Sequence, residues 1–96
     1  MVRITSDEHD DCVLLRVEGS LRGLWVDELE RLWRCNRKRG KRVCVNLADV
    51  PYVDDAGEAL LTRMFEDGSE LRASGLYMTA IVQEIMNNAG NPAMSG

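Results

Sequence analysis

Apolar residues along this chain come in two alternating rhythms. Val2 to Thr5 and Cys12 to Val17 are short runs of strand-forming residues. The charged stretch Asp7-Glu8-His9-Asp10-Asp11 separates them as a turn, so the pair predicts a β-hairpin. From about Trp25 to Arg37 the spacing becomes helical. Val26, Leu29, Leu32 and Trp33 share one face, while Asp27, Glu28, Glu30 and Arg31 lie outside it. Gly40 breaks that pattern. Arg42 to Leu47 then runs almost without polar interruption, as a central strand covered on at least one face does.

After Pro51, the stripe Leu60, Leu61, Met64 and Phe65 predicts a second helix over about Ala56 to Asp67, with Gly68 placed to end it. Ser69 to Ser74 alternates Glu70 and Arg72 with Leu71 and Ala73, which predicts a strand with an edge position or one solvated face. Ile81, Val82, Ile85 and Met86 predict a last helix over about Leu76 to Asn87. Residues 89–96 read as a flexible tail.

The order β-β-α-β-α-β-α predicts an α/β fold in a single domain over residues 1–88. Its sheet is expected to be four-stranded, mixed and mostly parallel, with an N-terminal hairpin and about three helices packed on it. Right-handed crossovers bring the loops at the carboxyl ends of the parallel strands to one rim, where partners and ligands of open α/β sheets bind.

Ninety-six residues suffice for one core but not for a deep cleft between lobes. A net charge of −4 with acids spread along the chain speaks against nucleic acid as the partner, because phosphate needs a basic face. No apolar run reaches the roughly 20 residues that span a bilayer, so no membrane insertion is expected. MVRITSDEHDD lacks the apolar core of a secretory signal, and a cytoplasmic location is expected. Cys12, Cys35 and Cys44 are odd in number and lack C-x-x-C spacing, which fits neither a disulfide framework nor a zinc site.

The chemistry concentrates at Tyr52-Val53-Asp54-Asp55-Ala56-Gly57, where strand meets helix. Asp55 has two readings. As a helix cap it completes a capping box with Glu58, its carboxylate accepting the N–H of residue 58. As a functional group it is a fixed charge at an exposed point. Asp49, Asp54, Asp55 and Glu58 are too weakly patterned for a cation site, and a helix N-terminus repels cations. Neither a P-loop nor a G-x-G-x-x-G fingerprint occurs, and no metal or cofactor is expected.

Trp33 fits the core stripe, whereas Trp25, at the helix start, reads either as local packing or as an interface anchor. Arg34, Arg37, Lys38, Arg39, Lys41 and Arg42 form a basic run, either a patch for an acidic partner or a solvated helix end matched to its dipole. His9 is the only histidine and stands in an acidic turn. Ser20, Ser69 and Ser74 show no triad pattern, so no catalytic residue is expected.

Taken together, Val17-Glu18-Gly19-Ser20-Leu21, Val45-Asn46-Leu47-Ala48-Asp49-Val50 and Val53-Asp54-Asp55-Ala56-Gly57-Glu58-Ala59-Leu60-Leu61 resemble the STAS domain family. That family comprises anti-sigma factor antagonists and cytoplasmic domains of sulfate transporters, and the resemblance covers about Ile4 to Glu84. It implies a non-enzymatic regulatory or adaptor module of the anti-sigma factor antagonist type, acting by protein–protein contact. The implied partner is an anti-sigma factor or kinase-like ATPase.

The family signature is typically Asp-Ser-Ser-Gly or Asp-Ser-Thr-Gly, and phosphorylation of its first hydroxyl releases the partner. Asp55 occupies that matching position here and Ala56 the next, so serine phosphorylation at this loop is not expected. Either the chain is held in the state that relatives reach by modification, or its partner presents a cation to Asp55.

The partner-binding residues so implied are Ser20, Arg22, Trp25, Tyr52, Asp54, Asp55, Ala56, Gly57 and Glu58. Two alternatives stay open. One is the STAS subunit of an ABC-type phospholipid transport complex, whose partner is a transporter ATPase and some of whose members carry Ala before the signature Gly, as Ala56 stands here. The other is a nucleotide-binding sensor.

Overall fold

The computed structural model describes residues 2–89. Its elements are β1 (Arg3–Glu8), β2 (Cys12–Glu18), α1 (Leu24–Lys38), β3 (Arg42–Asp49), α2 (Asp55–Glu66), β4 (Glu70–Arg72) and α3 (Leu76–Ala89). The expected order β-β-α-β-α-β-α is the observed one. Residues 90–96 of the expected tail lie outside the described residues, and Ala89 is the last residue of α3.

The four strands stand in the order β1-β2-β3-β4. β1 pairs antiparallel with β2, while β2–β3 and β3–β4 are parallel. Both crossovers step the same way across the sheet, so with one handedness they deposit α1 and α2 on one side. The burial pattern agrees. Val13, Leu15 and Val17 on β2 and Val43, Val45 and Leu47 on β3 are alternate residues, and all are buried.

Against them pack Val26, Leu29 and Trp33 of α1, Leu60, Leu61 and Met64 of α2, and Met78, Val82 and Ile85 of α3, forming one core. Each fully buried aliphatic side chain there contributes about 1.5–3 kcal/mol of burial free energy. The other sheet face, with Arg16, Arg42 and Arg72 exposed and Cys12, Leu14 and Cys44 half-buried, carries no helix among the described residues.

Element bounds differ from expectation at the ends. β1 reaches Glu8 rather than Thr5 because Asp7 and Glu8 pair with Leu14 and Val13 across the hairpin. The ladder overrides the low strand propensity of the acids. β4 is shorter than expected, three residues, and lies at the sheet edge as its alternation predicted.

α2 ends as Gly68 predicted. Gly68, at φ 101°, donates to the Phe65 carbonyl at 3.0 Å, and Ser69 N–H reaches the Met64 carbonyl at 2.9 Å. That is the paired closure in which a left-handed residue satisfies the last helical carbonyls.

Candidate functional site

The starts of α1, α2 and α3 meet the carboxyl ends of β2, β3 and β4 along one rim. Backbone hydrogen bonds fasten the first two loops together. Leu21 N–H donates to the Tyr52 carbonyl at 2.9 Å and Asp54 N–H to the Leu21 carbonyl at 3.1 Å, making an isolated parallel bridge between Leu21 and Val53. Just below, the β2–β3 register shifts between Arg16 and Glu18, so that Glu18 lies opposite Asp49. Such a bulge turns the strand ends and re-aims the residues that follow.

Asp54, not Asp55, is the N-cap of α2. Its Oδ1 accepts the Gly57 N–H at 2.7 Å, and its Oδ2 accepts the Gly23 N–H, from the loop ahead of α1, at 3.2 Å. The expected capping box headed by Asp55 is therefore shifted by one residue. The helix opens one residue early, Asp55 is its first residue, and the position three after the cap is Gly57 rather than Glu58. At position 54 the carboxylate meets two donors, one from each helix start, and caps α2 while tying it to α1.

Gly57 is buried where a side chain has no room. A Cβ there would lie 2.7 Å from Val53 Cγ1 and 3.0 Å from the Leu21 carbonyl oxygen. Gly57 is thus a packing residue beneath the surface rather than a contact residue upon it. Ser20 and Glu58 are half-buried; Arg22, Asp55 and Ala56 are exposed. Asp55, relieved of capping, forms no ion pair among the described residues, and neither do Asp27, Asp49 or Glu58.

Trp25 is 40% exposed and Tyr52 46% exposed, and neither belongs to the buried core. Tyr77, the second residue of α3, is a member of the site that the sequence reading did not single out. Its hydroxyl accepts the Val53 N–H at 3.2 Å and lies 3.3 Å from the Val53 carbonyl, and its ring stacks on Tyr52 with centroids 6.4 Å apart. Leu24 and Leu76, first residues of α1 and α3, are 82% and 94% exposed. Helical periodicity marks both as off the core stripe but carries no signal that three helix starts converge. A shallow groove of about 410 Å³ runs between Asp49–Pro51 and Gly75–Tyr77.

The basic run is largely engaged within the molecule. Arg34 pairs with Glu30 at 2.7 Å, Arg37 with Asp67 at 2.6 Å, and Arg39 and Lys41 both with Glu8, at 3.1 and 2.8 Å. Arg37 also lies 5.2 Å from the Trp33 ring centre. The hydrogen bond from Lys41, followed by that from Arg39, holds the Glu8 carboxyl down at about 2. Glu8 of the hairpin, Glu30 of α1 and Asp67 at the end of α2 thus neutralise much of the positive charge at the far end of the molecule from the rim.

No His, Cys, Asp or Glu trio converges as metal ligands among the described residues. The three cysteines are free thiols, and burial pushes the Cys44 thiol above its ordinary value, away from thiolate reactivity. No helix among the described residues is long and apolar enough to cross a membrane.

No protein-family model matches the chain, and no curated protein matches it. Eight chains of solved structures do. One, described as "Crystal Structure Analysis of Mglu", is similar over 75% of this chain with 24% identity and a TM-score of 0.58. The chain spans about a fifth of that protein's length, 19%, and the likeness is one of fold.

Proposed function

We propose that this chain is a STAS-type regulatory or adaptor module that works by protein–protein contact through the rim at Tyr52 to Glu58, with no enzymatic activity of its own. The observation that carries the reading is the division of labour between two adjacent carboxylates. Asp54 is consumed in holding two helix starts together, which leaves Asp55 exposed and unpaired on a rigid frame. Trp25, Tyr52 and Tyr77 are partly exposed on the same rim, with the large amphipathic surfaces that anchor protein interfaces.

In this reading Asp55 is a permanent carboxylate where the family carries a modifiable hydroxyl, so partner exchange is not set by serine phosphorylation here. The partner class is that of the family resemblance, an anti-sigma factor or kinase-like ATPase. A transporter ATPase is the second reading, favoured by Ala56 ahead of Gly57.

Affinity capture from the native cell with wild type and Asp55→Arg side by side tests the reading. A partner retained by wild type and lost with Asp55→Arg supports it. Equal retention of that partner by both moves the interface elsewhere.

A further inference from the structure

We propose that the rim receives a basic amphipathic helix of a protein partner, laid across the starts of α1, α2 and α3. Its apolar side rests on Leu24 and Leu76 and one of its cations sits over Asp55. The inference rests on the regulatory reading above and adds the chemistry of what is bound.

The apolar half of the argument is Leu24, Trp25, Leu76 and Tyr77. Two leucines that open helices are left almost wholly in water, each followed by a partly exposed aromatic. α2 packs against both α1 and α3 and stands between them. With helix axes about 8–10 Å apart, the two leucine–aromatic pairs lie roughly 16–20 Å from one another. A helix rising about 1.5 Å per residue covers that span in about 11 residues, a separation that returns to nearly the same face. One straight helix therefore reaches both pairs with a single apolar stripe.

The polar half is charge. Between Arg42 and Arg63 the chain has no cation and carries Asp49, Asp54, Asp55 and Glu58. Asp27 adds a further acid at the first turn of α1, and Arg22 is the one cation of the adjoining loop. An apolar surface edged by unpaired acids selects an apolar partner edged by cations. The same acids repel anionic headgroups, and a second copy of the rim would bring like charges together. An extended strand is disfavoured by geometry, since strand addition needs a sheet edge and the rim is formed by strand ends.

The test uses the purified chain and a synthetic helix of about 18 residues with Leu along one face and Lys on its flanks, titrated calorimetrically. Saturable binding is expected, with none from the same peptide carrying Glu for Lys. Leu24→Ser combined with Leu76→Ser, and separately Asp55→Lys, are expected to weaken binding at least roughly tenfold with unchanged circular dichroism. Leu14→Ser, on the open sheet face, is expected to leave affinity unaltered.

No binding by wild type, equal affinity across the rim variants, or binding of the Glu peptide overturns the proposal. So does adsorption to phosphatidylcholine–phosphatidylglycerol vesicles that the double Leu→Ser variant abolishes, because it assigns the leucines to lipid. If the Lys peptide fails while Asp55→Arg still releases the native partner, this inference falls and the regulatory reading stands.

Discussion

The hydroxyl of Tyr77 lies 3.2 Å from the backbone nitrogen of Val53 and 3.3 Å from its carbonyl oxygen, so one side chain serves both polar groups of a single residue. Val53 is buried, and its backbone has few other partners to turn to. Tyr77→Phe keeps the ring that stacks on Tyr52 but removes both hydrogen bonds. A loss of about 1 kcal/mol is expected, because the exposed side of Tyr77 lets water recover part of the loss. For a domain this size that corresponds to a fall in Tm of roughly 4–8 °C. Urea denaturation with amide exchange at Val53 checks it: exchange there should accelerate more than in β2 or β3.

The two adjacent aspartates separate in stability. Asp54→Ala removes the cap of α2 and the tie to Gly23, and should cost about 1–2 kcal/mol. Asp55→Ala touches neither bond and should stay within about 0.5 kcal/mol of wild type. Asp54→Asn, still a good cap, should fall between them. Chemical denaturation of the three variants decides the matter. If Asp55→Ala proves the more costly, Asp55 is the cap after all and its freedom to meet a partner is lost.

How far residues alone reveal this arrangement depends on the range of the interactions. The apolar runs of β2 and β3, the helical stripes Val26-Leu29-Trp33 and Leu60-Leu61-Met64, and the Gly68 terminus are local signals, and each appears in the structure. The exchange of roles between Asp54 and Asp55 is not local. It involves Gly23, 31 residues away, which supplies a second donor to Asp54. Tyr77 is hidden for the same reason, since its partner Val53 is 24 residues distant. The pairing of Glu8 with Arg39 and Lys41 likewise needs the hairpin brought beside the end of α1. Pattern reading finds the elements and the region of the site, whereas long-range hydrogen bonds assign the work within it.

Gly57 offers a test of close packing. Alanine normally favours a helix over glycine by about 1 kcal/mol. Here the added methyl meets Val53 Cγ1 at 2.7 Å and the Leu21 carbonyl at 3.0 Å, and overpacking of this kind costs about 1–3 kcal/mol. Gly57→Ala should therefore be destabilising despite its propensity. The clash with Val53 is with a side chain, so Val53→Ala should relieve part of it. In a double-mutant cycle the pair should lose less than the sum of the single losses. Simple additivity would place the strain on the Leu21 backbone instead.

Glu8 predicts the acid limb of stability. Its carboxyl is held at about 2 in the folded chain by the hydrogen bonds from Lys41 and Arg39, against about 4.3 for an unfolded glutamate. A depressed folded value means that the unfolded chain takes up the proton first. The stabilisation is complete above about pH 5, declines as pH falls below 4.3, is small by about pH 2 and is gone only below the folded value. Glu8 is about half exposed, its side chain at 49%, so the gain is modest and salt screens it. Wild type and Glu8→Gln should therefore differ by a constant amount above about pH 5 and converge towards pH 2, with the gap shrinking in about 1 M NaCl. Denaturation midpoints across that range give the comparison. A gap that persists unchanged at pH 2 would mean that Glu8 acts through its shape and not its charge, and that the basic run at the end of α1 is not held by the hairpin.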